Sequence, residues 1–151
     1  MKMTSVWLSG EANQSLKMPS KYVVDTHAIV WFNAGDPRLG PNAKRILSNP
    51  DSELILPFTA LAEVCWIIER GRTSIRSVSD FLLTIDLDPR VTVTPLDRTI
   101  LDKTLTLTDI NEMHDRQIIA TALVLIDRGE SVALITRDEN IRETNLVPVV
   151  W

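Results

Sequence analysis

YVVDTHAIVWF, residues 22–32, is the stretch on which the reading of the fold turns. Tyr22, Val23 and Val24 form a short β-prone run that stops at Asp25, and helical spacing then carries the chain from Ala28 to Phe32. A strand that passes straight into a helix through an acidic residue is the way a parallel α/β sheet opens. Ligands of such sheets bind at the carboxyl ends of the strands, which is where Asp25 stands. Asp25 or Thr26 can equally cap the following helix, so position alone leaves a structural role and a chemical one both open.

The same arrangement recurs along the chain. ELILP, residues 53–57, is a short strand of buried type, and Thr59 is the expected N-cap of a helix over residues 60–70 that Gly71 closes. Ala60, Val64, Ile67 and Ile68 share one face of that helix, and Glu63 falls on the same face one turn in. In NEMHDRQIIATALVLIDR, residues 111–128, the residues Ile118, Ile119, Ala122, Leu123 and Ile126 recur at three- and four-residue steps. They predict a stripe about 100° wide. The steps extend backwards onto Asp115, a carboxylate in line with the core face and costly there unless something compensates it. Negative charge is favoured near a helix N-terminus, which supplies the structural explanation for Asp115. Asp109 and Glu112 have capping-box spacing, which gives Glu112 a structural task as well.

Around these landmarks the rest falls into place. A helix is expected from Pro41 to just before Pro50, and an amphipathic helix over residues 77–87 with Val78, Phe81, Leu82 and Ile85 inward. A strand follows over residues 91–94, then a helix begun by Asp97, read as its cap. SVALIT, residues 131–136, is another strand ending in polar residues. A short helix over residues 139–143 and a strand over residues 147–150 complete an α/β order of strand, helix, helix, strand, helix, helix, strand, helix, helix, strand, helix, strand. Asp25 and Asp138 follow strands, and Glu63 and Asp115 lie in the first turns of helices leaving the same sheet edge, so all four can meet. Converging carboxylates repel unless a hard cation binds between them. Oxygen ligands without a His/Cys cluster point to Mg²⁺ or Mn²⁺ rather than zinc. Such an ion can lower the pKa of a water and clamp phosphodiester oxygens.

YVVDTHAIVWF, LAEV (residues 61–64), HDRQIIATAL (114–123) and LITRDENI (134–141) together resemble the PIN-domain nucleases, specifically the VapC-type toxins of bacterial toxin–antitoxin pairs. The resemblance runs through residues 21–151. It implies a PIN-like α/β domain, a central parallel sheet flanked by helices. It also implies endoribonuclease activity, a hydrolysis dependent on Mg²⁺ or Mn²⁺ with water as the nucleophile, and a cognate antitoxin that blocks the site. By position, Asp25, Glu63, Asp115 and Asp138 match the family's acidic metal set, and Thr136 matches a hydroxyl residue near the metal water. Relatives of this subgroup often carry Asp three residues before the helix Asp. Here that position is Glu112, whose longer side chain could reach the metal through water or be structural. A homodimer in the cytoplasm is expected.

The rival from another class is a catalytically inactive PIN-like module that offers its acidic pocket to a partner protein. A phosphoacceptor receiver domain is weakened because no Asp follows the second strand. A haloacid-dehalogenase-type phosphatase wants a second Asp where His27 stands. With 151 residues, 44% hydrophobic and 24% charged, the chain suits one domain with a sizeable core. Its net charge of −4 excludes a global basic field for nucleic acid, so a polyanionic substrate needs a local site.

Arg116 and Arg137 flank the acids and are the candidates to hold phosphate, against a reading as solvated or ion-paired surface. His27 is a candidate general base, outweighed by a helix-start or packed histidine, and His114 faces another side of its helix. Trp31 and Trp66 read as core or interface. Cys65 reads as a small buried hydrophobe with no internal partner for a disulfide, which suits a reducing compartment. Residues 1–20 read as a flexible extension, with Met3 and Met18 as alternative starts and Trp7 able to dock. They hold no apolar run of signal-peptide or membrane-span length.

Overall fold

Continuous apolar runs, too short for helices and rich in β-branched residues, form the central strands, buried on both faces, and the two edge strands are only partly covered. They build the sheet. The computed structural model describes residues 19–151. The expected extension over residues 1–20 therefore lies, but for Pro19 and Ser20, outside the described residues. The strands are β1 (Lys21–Val24), β2 (Glu53–Pro57), β3 (Val91–Thr94), β4 (Val132–Ile135) and β5 (Val149–Val150). All neighbours pair in parallel, in the order β3-β2-β1-β4-β5. The helices are α1 (Thr26–Ala34), α2 (Pro41–Ser48), α3 (Phe58–Glu69), α4 (Val78–Leu87), α5 (Arg98–Thr104), α6 (Met113–Asp127) and α7 (Glu139–Glu143). This is the expected order, element for element. Among the described residues no helix is long and apolar enough to cross a membrane.

Val23, Val24, Leu134 and Ile135 are essentially inaccessible to solvent, as parallel strands covered on both faces should be. Burial of side chains of this size contributes roughly 1.5–3 kcal/mol each before entropy is counted. The chain runs outward from β1 in both directions, to β2 and β3 on one side and to β4 and β5 on the other. The β1–β4 junction is thus a topological switch point. Val24 lies opposite Ile135, and the ladder continues one step with Asp25 N–H donating to the Ile135 carbonyl at 3.1 Å. That step sets Asp25 beside Thr136.

Three local expectations need correction. Thr59 is not an N-cap: α3 begins one residue earlier, at Phe58, and no side chain caps it. The Thr59 hydroxyl instead donates to Gln117 Oε1 at 2.6 Å, tying α3 to α6. The Asp109–Glu112 capping box does not form, because the loop holds Asp109 clear of the helix and Glu112 itself caps α6. Finally, α6 is no narrow-striped helix. Ile118, Ile119, Ala120, Thr121, Ala122 and Val124 are buried, while Leu123 and Ile126 are only partly so. The reason is its position, packed against β4 on one side and α3 and α5 on others.

Candidate active site

Asp25 is the hub of the site because both of its oxygens are used. Its Oδ1 accepts the Thr26 amide at 2.6 Å, and its Oδ2 accepts the Thr136 hydroxyl, also at 2.6 Å. Thr136 is buried, and its Oγ1 accepts the Asp138 amide at 3.1 Å while donating to Asp25. One hydroxyl therefore fixes the ends of β1 and β4 relative to each other. Asp138 caps α7, its Oδ1 accepting the amides of Asn140 at 2.8 Å and Ile141 at 3.3 Å. Both strand-end acids are helix caps as well as members of the site.

On the other flank, the buried Thr26 donates its hydroxyl to Glu63 Oε1 at 3.1 Å. The sequence reading overlooked this link. A Thr immediately after a strand-end acid, at a position that the core buries, is the signal that could have shown it. Asp25 is thus linked through the Thr136 hydroxyl to the Asp138 amide, and through Thr26, which bonds Asp25 by its amide and Glu63 by its hydroxyl, to the other flank.

Asp115 completes the set from the first turn of α6. Its carboxyl is pushed up to about 6, chiefly by burial and then by the negative charges of Glu112, Asp25, Asp138 and Glu63. Burial also raises Asp25, against the hydrogen bonds from Thr136 and Thr26 and the charge of His27, with Asp138 adding to the rise. Glu63 is raised by burial too. The Thr26 hydrogen bond and His114 oppose that shift, and Asp25 and Glu112 reinforce it.

Glu112 behaves differently. Burial pushes its carboxyl up, but the Asp115 and His114 amides and the His114 ring outweigh that, and the net shift is downward. Its Oε2 accepts the Asp115 amide at 2.7 Å, and its Oε1 lies 2.9 Å from His114 Nδ1. Both oxygens are engaged in starting α6, the structural one of its two readings. Arg116 donates Nε to the Ile110 carbonyl and Nη2 to the Thr108 carbonyl at 3.3 Å, which clamps the loop before α6. Arg137 is exposed and stacks over Trp31, its guanidinium carbon 4.5 Å from the ring centre. His27 is exposed at the start of α1, with its ring 5.4 Å from that of Trp31.

Trp31 is core, as expected. Trp66, by contrast, is 48% exposed. It lines a cleft of about 590 Å³ together with Phe58, Leu96, Glu63, His114 and Gln117. Cys65 is only partly buried, and what burial it has raises its thiol.

The PIN domain family matches residues 22–146. The chain belongs to the PIN domain family. Its PIN fold is shared with solved structures of low sequence identity. VapBC2 from Rickettsia felis, bound to a DNA fragment from its promoter, gives a TM-score of 0.61 at 12% identity, covering 86% of this chain and 97% of the other. The Mycobacterium tuberculosis toxin VapC20, which cleaves the sarcin–ricin loop, gives 0.55 at 21% identity, covering 80% and 94%. FitAcB from Neisseria gonorrhoeae gives 0.56 at 15% identity, covering 86% and 96%. No curated protein matches the sequence.

The donor chemistry of this PIN domain is all oxygen. Among the described residues no three His, Cys, Asp or Glu side chains already stand close enough together to hold a metal ion. Hard oxygen donors, with an Asp115 raised by burial and by four like charges, are chemically compatible with a hard divalent cation.

Proposed function

We propose that this PIN domain is an endoribonuclease that hydrolyses RNA phosphodiester bonds, with Mg²⁺ or Mn²⁺ held by Asp25, Glu63, Asp115 and Asp138, and that it is the toxin of a toxin–antitoxin pair. The observation that carries the reading is the threonine-linked set around Asp25 at the switch point, with Asp115 facing it from α6. Likeness in fold to VapBC2, VapC20 and FitAcB supports the toxin part.

A divalent cation in this mouth supplies positive charge that eases deprotonation of a water and stabilises charge on the phosphate oxygens. The chain's own groups prepare the place. Thr136 holds Asp25 and Asp138 in register, and Thr26 holds Glu63 toward Asp25. Asp115, with its carboxyl near 6, can take up a proton at Oδ under mildly acidic conditions and release it near neutrality. Arg137, beside Asp138, is the cation placed to meet a phosphate. Arg116, the other candidate, has its guanidinium directed at loop carbonyls.

The acidic mouth invites a cationic plug, so the antitoxin is expected to present Arg or Lys there in competition with the metal. The test is cleavage of single-stranded RNA by the purified chain with Mn²⁺ and with chelator. Wild type should cut only with metal. Asp25→Asn should cut at least about a thousandfold more slowly while keeping its fold, a loss of roughly 4 kcal/mol of transition-state stabilisation. Equal rates for the two proteins would refute the assignment. Metal-independent inertness of both, with a partner protein still bound at the pocket, would favour the inactive-module reading.

A further inference from the structure

Net charge is −4, yet two arginines from distant parts of the chain, Arg38 and Arg137, gather on the one ring of Trp31. Trp31, six residues after Asp25 and therefore about 9 Å along α1, is only 4% exposed. It serves as a platform. The guanidinium carbons of Arg137 and Arg38 each lie 4.5 Å from its ring centre, within the range of a cation–π contact. His27 and Trp151 close on the same ring, at 5.4 Å and 5.9 Å between ring centres. Bringing two like charges onto one indole is unfavourable by itself, so the arrangement concentrates positive potential at a stated place.

Arg38 is held flat by Asp36, whose oxygens accept its Nε at 3.1 Å and its Nη2 at 2.8 Å. That pairing cancels part of its charge. Arg137 makes no ion pair or hydrogen bond through its side chain among the described residues, so its guanidinium keeps its donors for an incoming group. The third arginine, Arg72, follows Gly71, whose left-handed backbone (φ 66° at Gly35 and 65° here) turns the chain at the end of α3. The Arg72 amide is fixed to the Ile67 carbonyl at 3.2 Å, and its guanidinium carbon lies 5.4 Å from the ring centre of Trp66. With Thr73 and Ser74, Arg72 lines a cleft of about 460 Å³, whose other wall carries Trp31 and Arg38. Guanidinium forks and hydroxyls in one cleft are the donors that phosphate oxygens take.

We propose that Arg137 and Arg38, ordered on Trp31, and Arg72, ordered on Trp66, form a track for the sugar–phosphate backbone of single-stranded RNA leading to the carboxylate mouth. The proposal rests on the nuclease reading. Arg137 adjoins Asp138, so the track begins at the site. It continues along α1 to the cleft of Arg72, and it supplies locally the positive charge that the whole chain lacks. Arg38 is a positioning residue within it, and Arg137 and Arg72 make the phosphate contacts.

The experiment uses the full chain in an Asp25→Asn background, so that RNA is bound and not consumed, with a labelled single-stranded oligoribonucleotide titrated across a range of KCl. Arg137→Gln and Arg72→Gln should each weaken binding by about five- to tenfold, and each should lower the slope of log K against log salt by about 0.7. Arg45→Gln, on α2, is the charge control and should change neither. Melting curves of each variant separate a lost contact from a lost fold. Affinities within twofold of the parent and unchanged salt slopes for both Arg137→Gln and Arg72→Gln would overturn the track. So would variants that bind RNA normally yet fail to bind an acidic protein partner, because the arginines would then serve that partner. Failure of the nuclease reading would show separately, as absence of metal-dependent cleavage by the unsubstituted chain.

Discussion

Strand ends and helix starts deliver the four candidate site carboxylates of this PIN domain, and the two kinds of element hold them differently. Asp25, at the end of β1, has its two oxygens satisfied by the Thr26 amide and the Thr136 hydroxyl, and Asp138, beyond the end of β4, accepts two amides at Oδ1. Parallel strands fix those positions through the ladder, since Val24 and Ile135 are paired one step earlier. Asp115, in the first turn of α6, is raised to about 6 by burial and by four negative neighbours. Glu63, on α3, stands between, with one hydroxyl from Thr26. The strand-end acids are held by hydrogen bonds, whereas burial and neighbouring negative charge disfavour ionisation of Asp115 on α6, a cost that a cation bound there would relieve. Helix-borne acids near a mouth are thus the sensitive reporters of what binds there.

The largest effect should come from breaking the hydrogen-bonded side. Thr136→Val removes the hydroxyl that Asp25 accepts and leaves a buried carboxylate oxygen without its partner. The expected cost is about 2 kcal/mol of stability, together with a fall in cleavage. Urea unfolding of the variant checks this, and Thr136→Ser should recover most of the loss by restoring the hydroxyl.

A smaller effect, of opposite sign, is expected from the α6 side. With a folded carboxyl near 6 and an unfolded one near 3.8, Asp115 binds more protons in the folded state between those values. Stability contributed by the protonated form is therefore lost as pH rises from about 4 to about 6. Because Asp115 is partly exposed, solvent screening reduces the penalty above pH 6 to about 1 kcal/mol. Asp115→Asn should flatten the stability profile over that window, which denaturation at a series of pH values would reveal. The smallest change belongs to Glu112→Ala. It removes the α6 cap but also one of the charges that raise Asp115, so the two effects offset to a net loss of about 0.5 kcal/mol. Chemical denaturation against wild type at neutral pH, with chelator present, is the check.

The sheet was legible because short apolar runs such as ELILP and SVALIT end at Pro, Gly or polar residues, and helical periodicity fills the gaps between them. The strand-end placement of Asp25 followed from that grammar directly. Caps were harder to read. Whether Thr59, Asp109 or Glu112 caps a helix depends on where the first turn starts, and a one-residue shift reassigns the side chain. Long-range partners leave almost no local trace: Thr26 finds Glu63 across 37 residues, and Thr136 finds Asp25 across 111. Arg116 has two readings in the sequence, phosphate contact or surface, and its contacts with the loop carbonyls of Thr108 and Ile110 are a third that no local pattern signals. Trp66 fitted an apolar helical stripe, yet its ring lies half in solvent beside Glu63 because the cleft opens there.

The claim that Asp115 belongs with the other acids at one cation-binding mouth is tested most directly by thermal melts of wild type and Asp115→Asn, each with chelator and with excess Mg²⁺. In chelator the variant should melt higher than wild type, by an amount equivalent to about 1 kcal/mol. Added Mg²⁺ should stabilise wild type by mass action and the variant far less. A variant that melts lower in chelator and gains as much from Mg²⁺ as wild type would contradict the account, since Asp115 would then be a favourable first-turn acid with no part in holding a cation.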